Sequence, residues 1–145
     1  MRLAEKWMYK TVKGSNLHRL LLRIVFSCDI PCGVKIGKNV QLPHNGNGVI
    51  IHNNAIIGDN CVIFQHATIG GNGTIKNGKT IHGAPVLENG VAVFTGACVL
   101  GPITIGHGTY IAANTVVTKN VPPDSLVIGN PAVIKKRSFS YFFAE

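Results

Sequence analysis

VKIGKN, VQLPHN, GNG, VIIHNN, AIIGDN, CVIFQH and ATIGGN run consecutively over residues 34–72, and all but the short GNG are six residues long. The first position of each hexad is small or β-branched: Val34, Val40, Val49, Ala55, Cys61 and Ala67. The third is a larger aliphatic residue: Ile36, Leu42, Ile51, Ile57, Ile63 and Ile69. Gly, Asn, Asp or His fills much of the second half. A short strand followed by a turn, repeated many times, predicts a parallel β-helix. Only the inward positions need be apolar, and the turns need residues that tolerate left-handed backbone, hence Gly and Asn.

The period extends outward from that stretch. It begins near Cys28 and returns after an interruption as VAVFTG, ACVLGP, ITIGHG, TYIAAN and TVVTKN. The interruption, GTIKNGKTIHGA over residues 73–84, holds four glycines and no hexad register, so it is expected to leave the coil as a loop. The coils resume at Pro85, and Pro122-Pro123 is expected to end the regular ladder. Residues 1–26 break the period. Leu17, Leu20, Leu21, Ile24 and Val25 cluster at helical spacing, with Gly14-Ser15-Asn16 as a break between two short helices. Such a segment fits a cap over the open end of the β-helix. It also fits a basic amphipathic surface touching a membrane or a lipid-linked substrate. The basic and aromatic tail, residues 135–145, places Phe139, Tyr141, Phe142 and Phe143 for packing on the body or on a neighbouring subunit.

With 145 residues and sparse charge, the chain reads as one elongated all-β domain carrying a short helical N-terminus. The net charge of +8 points to an anionic ligand or surface. It does not point to nucleic acid, because no zinc-finger spacing, recognition helix or aromatic-basic interleaving accompanies it. Four cysteines without a CxxC pair are expected to be reduced thiols in a cytoplasmic protein, with Cys28 and Cys61 inward. Arg23 interrupts the longest apolar run, so no bilayer span is expected.

The hexads, DIPCGVKIG followed by LPH, the run IFQHATIGG and the ending NVPPDSLVIGNPAVIKK together resemble the hexapeptide-repeat acyltransferases, in particular the serine O-acetyltransferase group. The resemblance covers residues 28–136. It implies a left-handed parallel β-helix over residues 27–134, three hexads to a coil, assembled as a homotrimer with active sites between subunits. It also implies transfer of an acetyl group from acetyl-CoA, a co-substrate rather than a resident cofactor.

By the same resemblance His44 is the general base and Asp29 its partner. The chemistry needs such a pair: a hydroxyl attacks a thioester only as a base takes its proton, and a carboxylate on the other ring nitrogen fixes the tautomer. The resemblance places the CoA-binding residues at Gly70, Gly71, Thr95, Ala113, Thr118, Lys119 and Lys135, with Lys136 and Arg137 adding charge for phosphates. Thr95 replaces the alanine or glycine usual in the family. Two departures concern the acceptor. Pro43 stands where serine acetyltransferases carry an Asp that meets the ammonium group. Gly83 and Ala84 stand where they carry an Arg-His pair that grips the carboxylate. Losing both removes the amino-acid clamp, which favours a sugar or another small hydroxyl acceptor, as in serine-acetyltransferase-like polysaccharide enzymes. Serine is the alternative acceptor, and a non-catalytic β-helix scaffold is the rival class. Zinc chemistry is not expected. His18, His52, His66, His82 and His107 lack the five-residue ligand pair of the hexapeptide-repeat carbonic anhydrases.

Overall fold

The computed structural model of the protein describes residues 1–138, so the aromatic tail from Phe139 lies outside the described residues. Two helices, α1 (Leu3–Val12) and α2 (Asn16–Phe26), lead into a stack of short parallel strands. The strands form three ladders. The first holds Lys35–Ile36, Ile56–Ile57, Val86–Leu87 and Thr104–Ile105. The second holds Ile50–Ile51, Thr68–Gly70, Cys98–Leu100 and Val116–Val117. The third holds Val62–Ile63, Ala92–Val93, Tyr110–Ile111 and Ser125–Ile128, and is closed by the antiparallel strand Val133–Lys136. This is the hexapeptide-repeat β-helix expected from the sequence.

Register shows how the repeat is counted. Val86 lies opposite Thr104 and Cys98 opposite Val116, 18 residues on, which is three hexads per coil. Across GNG, Lys35 lies opposite Ile56, 21 residues on. Across the larger interruption, Thr68 lies opposite Cys98, 30 residues on. Both insertions are therefore absorbed at corners, and the ladders above and below them keep their alignment.

First and third hexad positions point inward because successive side chains of a strand alternate. Val34, Val40, Val49, Ala55, Cys61 and Ala67 are buried, as are Leu42, Ile51, Ile57, Ile63 and Ile69. Each full burial of such a side chain stabilises by about 1.5–3 kcal/mol. The sixth position supplies the corner. Asn39, Asn45, Asn60, His66, Gly90, Gly96, Gly108 and Asn114 all have positive φ, so the preference for Asn and Gly there has a direct backbone cause.

The segment expected to leave the coil as a loop does leave it, in the form of an antiparallel hairpin, Asn72–Lys76 paired with Lys79–Gly83. Asn77 and Gly78 both have positive φ, the requirement of a tight two-residue turn that an Asn-Gly pair meets. One expectation needs correction: Pro122-Pro123 does not end the ladder. Val121 still bridges Ile105, and Ser125–Ile128 adds a further parallel strand beside Tyr110–Ile111. The prolines fall at a corner, where a missing N–H interrupts no ladder bond.

Cys28 and Cys61 are buried and reduced, whereas Cys32 is exposed. Burial, reinforced by Asp29, pushes the Cys28 thiol up to about 12; burial, with Asp59 adding to it, pushes Cys61 up to about 11. Both thiols start from an ordinary value of 9.0. Above that pH the unfolded chain ionises them while the folded chain does not. The stability they contribute is therefore complete below pH 9 and falls as pH rises towards the folded values, by about 1.4 kcal/mol per unit for each thiol. Urea midpoints should be flat up to pH 9 and fall between pH 9 and 11. A Cys28→Ala/Cys61→Ala variant should lose most of that slope.

Candidate active site

The first coil is held from above by α1. Glu5 is buried, and its Oε1 accepts the Leu42 N–H at 3.0 Å while Oε2 accepts the Arg2 N–H at 2.6 Å. The Tyr9 hydroxyl donates to the Gly37 carbonyl and accepts the Val40 N–H, both at 3.0 Å. Backbone groups that the coil's open end would leave unpaired are thus satisfied by side chains of the helix. Leu42 lies two residues before His44, so Glu5 anchors the strand that delivers the candidate base. Glu5→Ala should cost about 2–3 kcal/mol, since it strands a buried N–H that now meets a charged acceptor. Thermal unfolding monitored by circular dichroism checks this.

His44 lies in a short 3-10 turn, Pro43–Gly46. Its φ is 54° and that of Asn45 is 56°. Sixth-position Asn45 follows the rule of the repeat, but His44 is a fifth-position residue. At the fifth positions Lys38, Asp59, Gln65, Asn89, Thr95, His107 and Ala113 φ is not positive, and the other fifth-position residue with positive φ is the glycine Gly101. Two successive left-handed residues, followed by the inserted Gly46-Asn47-Gly48, push this corner out of the pattern of the coils beneath. The imidazole is exposed and takes part in no side-chain hydrogen bond among the described residues. Left-handed backbone at a histidine costs about 1–2 kcal/mol, a cost retained where the turn has a task.

Asp29 bridges Ile50 and so heads the second ladder. Its carboxylate meets Arg19 of α2, with Nε at 3.3 Å and Nη2 at 3.2 Å, both on Oδ1. Oδ2 accepts no hydrogen bond among the described residues. No hydrogen bond joins Asp29 to His44 within the chain. The expected pair therefore stands on the second ladder and on the corner leading into it, with no hydrogen bond between the two side chains. Arg19 has no sequence signal that could have revealed it: a helix residue and a strand residue ten apart meet only once α2 has turned onto the coil. The same holds for Glu5 and Tyr9.

The remaining site residues distribute around the second ladder. Thr95 and Ala113 lie on the corner that also carries His44, one coil apart, and the Asn114 N–H donates to the Thr95 carbonyl at 2.9 Å. The N–H groups of Thr95 and Ala113 donate to no backbone carbonyl among the described residues. Gly70 ends a second-ladder strand and Gly71 opens the opposite corner, at the root of the hairpin. A Cβ at Gly71 would stand 2.6 Å from the His52 ring and 3.1 Å from the Gly83 carbonyl, and one at Gly70 would stand 2.8 Å from Leu100. The glycine pair thus has a packing reason of its own. Thr118 and Lys119 are exposed at that opposite corner on a lower coil. Lys135 is not with them: it sits in the antiparallel strand of the third ladder, opposite Leu126.

The outer surface of the third ladder is covered. Val62, Ala92 and Tyr110 are buried there under Phe64, Phe94 and Leu126, and the Arg137 guanidinium lies 4.5 Å from the centre of the Tyr110 ring. By contrast the second ladder presents Ile50 half exposed, beside Asp29 and Thr68. Other histidines have local roles. His66 takes a left-handed corner, and His52 Nδ1 accepts the Asn54 N–H at 3.2 Å. His107 stands 3.6 Å from Glu88 and 3.8 Å from Asp124. Among the described residues no three His, Cys, Asp or Glu side chains converge as a metal-binding set.

A coil of three hexads is the hexapeptide-repeat β-helix, and the comparisons with known proteins match that architecture. The chain is 43% identical over 110 residues to serine acetyltransferase 4 of Arabidopsis thaliana, covering 74% of this chain and 29% of that protein. It is 41% identical over 124 residues to the serine acetyltransferase of Synechococcus elongatus, covering 86% of this chain and 47% of that protein. A solved serine acetyltransferase in complex with CoA superposes with a TM-score of 0.77 at 26% identity, over 91% of this chain and 55% of that one. No protein-family model matches the chain. Over its β-helix the chain is similar to the serine acetyltransferases, and it spans about a third to a half of the length of these curated relatives.

Proposed function

We propose that the protein transfers the acetyl group of acetyl-CoA to a hydroxyl, with His44 as general base. The observation that carries this reading is the His44 corner: an exposed imidazole on a strained, inserted turn, on the same edge of the second ladder as Thr95 and Ala113. The donor lies along that edge, its pantetheine amides meeting the unpaired N–H groups of Thr95 and Ala113. Thr118 and Lys119, at the other corner of the second ladder, and Lys135, on the third ladder, would meet the phosphate end across a subunit boundary in a homotrimer. The acceptor oxygen attacks the thioester carbonyl as its proton passes to the His44 imidazole. The C–S bond then breaks and CoA leaves as a thiol, taking the proton back from the imidazole. Asp29 presents Oδ2 to the protonated ring, and Arg19 holds Oδ1. Arg19 thereby fixes the direction of the carboxylate without touching substrate.

Two acceptors remain. The relatives are named serine acetyltransferases, which favours L-serine over the sugar expected from the sequence. Pro43 and the Gly83–Ala84 pair are the specific observations that keep a sugar hydroxyl as the second reading, because neither can supply a charge to an amino acid. Thiol release from acetyl-CoA, measured with L-serine and with a panel of sugars and nucleotide-sugars, separates them. Saturable turnover with serine in the low millimolar range or below establishes the first. Turnover with sugars alone establishes the second. Thiol release with neither rejects acetyl transfer.

A further inference from the structure

The two helices divide their work. α1 turns Ala4, Glu5, Met8 and Thr11 onto the end of the coil, where all four are buried. α2 buries only Leu22 fully. Leu17, Leu20 and Ile24 are 62%, 53% and 70% exposed, and their spacing places them on one face of α2. Capping and surface contact, alternatives in the sequence, thus fall to different faces of one helical pair. A patch of three large aliphatic side chains on one helix face is not the scattered exposure usual for a soluble surface.

Charge indicates what covers it. Residues 1–26 carry six basic side chains, Arg2, Lys6, Lys10, Lys13, Arg19 and Arg23, against the single acid Glu5. Glu5 is buried and paired with Arg2, and Arg19 is paired with Asp29. Lys6, Lys10, Lys13 and Arg23 remain exposed with no acidic partner among the described residues. Lys6, Lys10 and Lys13 are spaced along the solvent side of α1 and its C-terminus, opposite the capping side, and Arg23 borders the apolar stripe of α2. Apolar side chains flanked by unpaired cations match the two components of an anionic bilayer surface, acyl chain and phosphate. A second protein of ordinary composition would match the apolar stripe but leave four cations facing it.

We propose that the helical pair docks the protein on an anionic phospholipid bilayer, α2 entering the headgroup boundary through Leu17, Leu20 and Ile24 and the lysines of α1 lying over lipid phosphates. The contact is peripheral, since no helix among the described residues is long and apolar enough to cross a membrane. It would hold the end of the coil nearest His44 towards the bilayer, so an acceptor carried at the membrane surface would reach that corner first.

The test is co-sedimentation of the full chain with phosphatidylcholine vesicles, with and without about a third phosphatidylglycerol, at physiological salt. Sedimentation velocity without lipid accompanies it. The expected result is binding to the acidic vesicles alone. Lys6→Ser/Lys10→Ser/Lys13→Ser should weaken it by about a hundredfold, and Leu20→Glu/Ile24→Glu should abolish it. Both variants alter exposed side chains, and an unchanged thermal melt verifies their fold. Absence of binding to acidic vesicles by the parent protein overturns the proposal, as does equal binding by the Leu20→Glu/Ile24→Glu variant. A drop in oligomer size in that variant, without loss of a lipid interaction, also overturns it and assigns the face to a second copy of the chain. Acetyl transfer is not read in any arm, so the result stands apart from the fate of the proposed reaction.

Discussion

His44→Asn is expected to lower kcat for acetyl transfer by about 10²–10⁴-fold while leaving the KM for acetyl-CoA within about twofold. Asparagine suits this test because it tolerates the left-handed backbone that His44 adopts, as Asn45 beside it does. The imidazole takes part in no side-chain hydrogen bond among the described residues, so its loss should move the thermal midpoint by less than about 2 °C, in line with surface substitutions generally. The split between a large kcat effect and an unchanged donor KM is what distinguishes a base from a residue that merely shapes the turn. A structural role would show as a shifted melt and a raised KM. Arg19→Ala should give a smaller loss of about tenfold, because it frees the Asp29 carboxylate from its fixed direction without removing it.

Leu87→Ala should destabilise the fold by about 3–4 kcal/mol. Leu87 is fully buried at the centre of the first ladder, between Ile57 and Ile105. The strand cannot collapse into the space left by the missing side chain. Its backbone is tied on both sides, with the Gly58 N–H on the Leu87 carbonyl at 2.8 Å and the Glu88 N–H on the Ile105 carbonyl at 3.0 Å. For a chain of this length the melt should drop by about 10 °C. Ile56→Ala, on the outward side of a neighbouring strand, removes a similar side chain that is already 38% exposed, and should cost less than about 1.5 kcal/mol. The contrast between the two reads the inward and outward faces of the hexad directly.

Much of this architecture was legible because the repeat imposes one local rule many times over. Alternating burial decides the first and third positions, and left-handed corners decide the sixth. Residues such as Val40, Ile63 and Asn60 therefore announce their places in the coil. The excursion at residues 73–84 was legible from the lost register, but its pairing was not, because the other glycines obscured the Asn77-Gly78 turn signal within the run. The ladder past Pro122-Pro123 was missed because a proline is a breaker within a strand but not at a corner. His44 and the residues grouped with it were singled out through resemblance alone, and the structure adds the left-handed corner on which His44 stands. What surrounds it was not legible. Glu5 under Leu42, Tyr9 between Gly37 and Val40, and Arg19 on Asp29 are contacts between the helical pair and the coil, separated by stretches of chain that carry no shared pattern. Lys135 stands apart from Thr118 and Lys119, because the antiparallel strand of the third ladder carries it opposite Leu126.

The most direct measurement is a paired count in one reaction: thiol released from acetyl-CoA and O-acetyl ester formed on the acceptor, using purified protein with L-serine or the sugar panel. Equal amounts of the two products are expected, formed only when donor and acceptor are both present. Thiol release without ester would make the protein a thioesterase, and neither product with any acceptor would leave a β-helix that binds without catalysing. Either result contradicts acetyl transfer at the His44 corner.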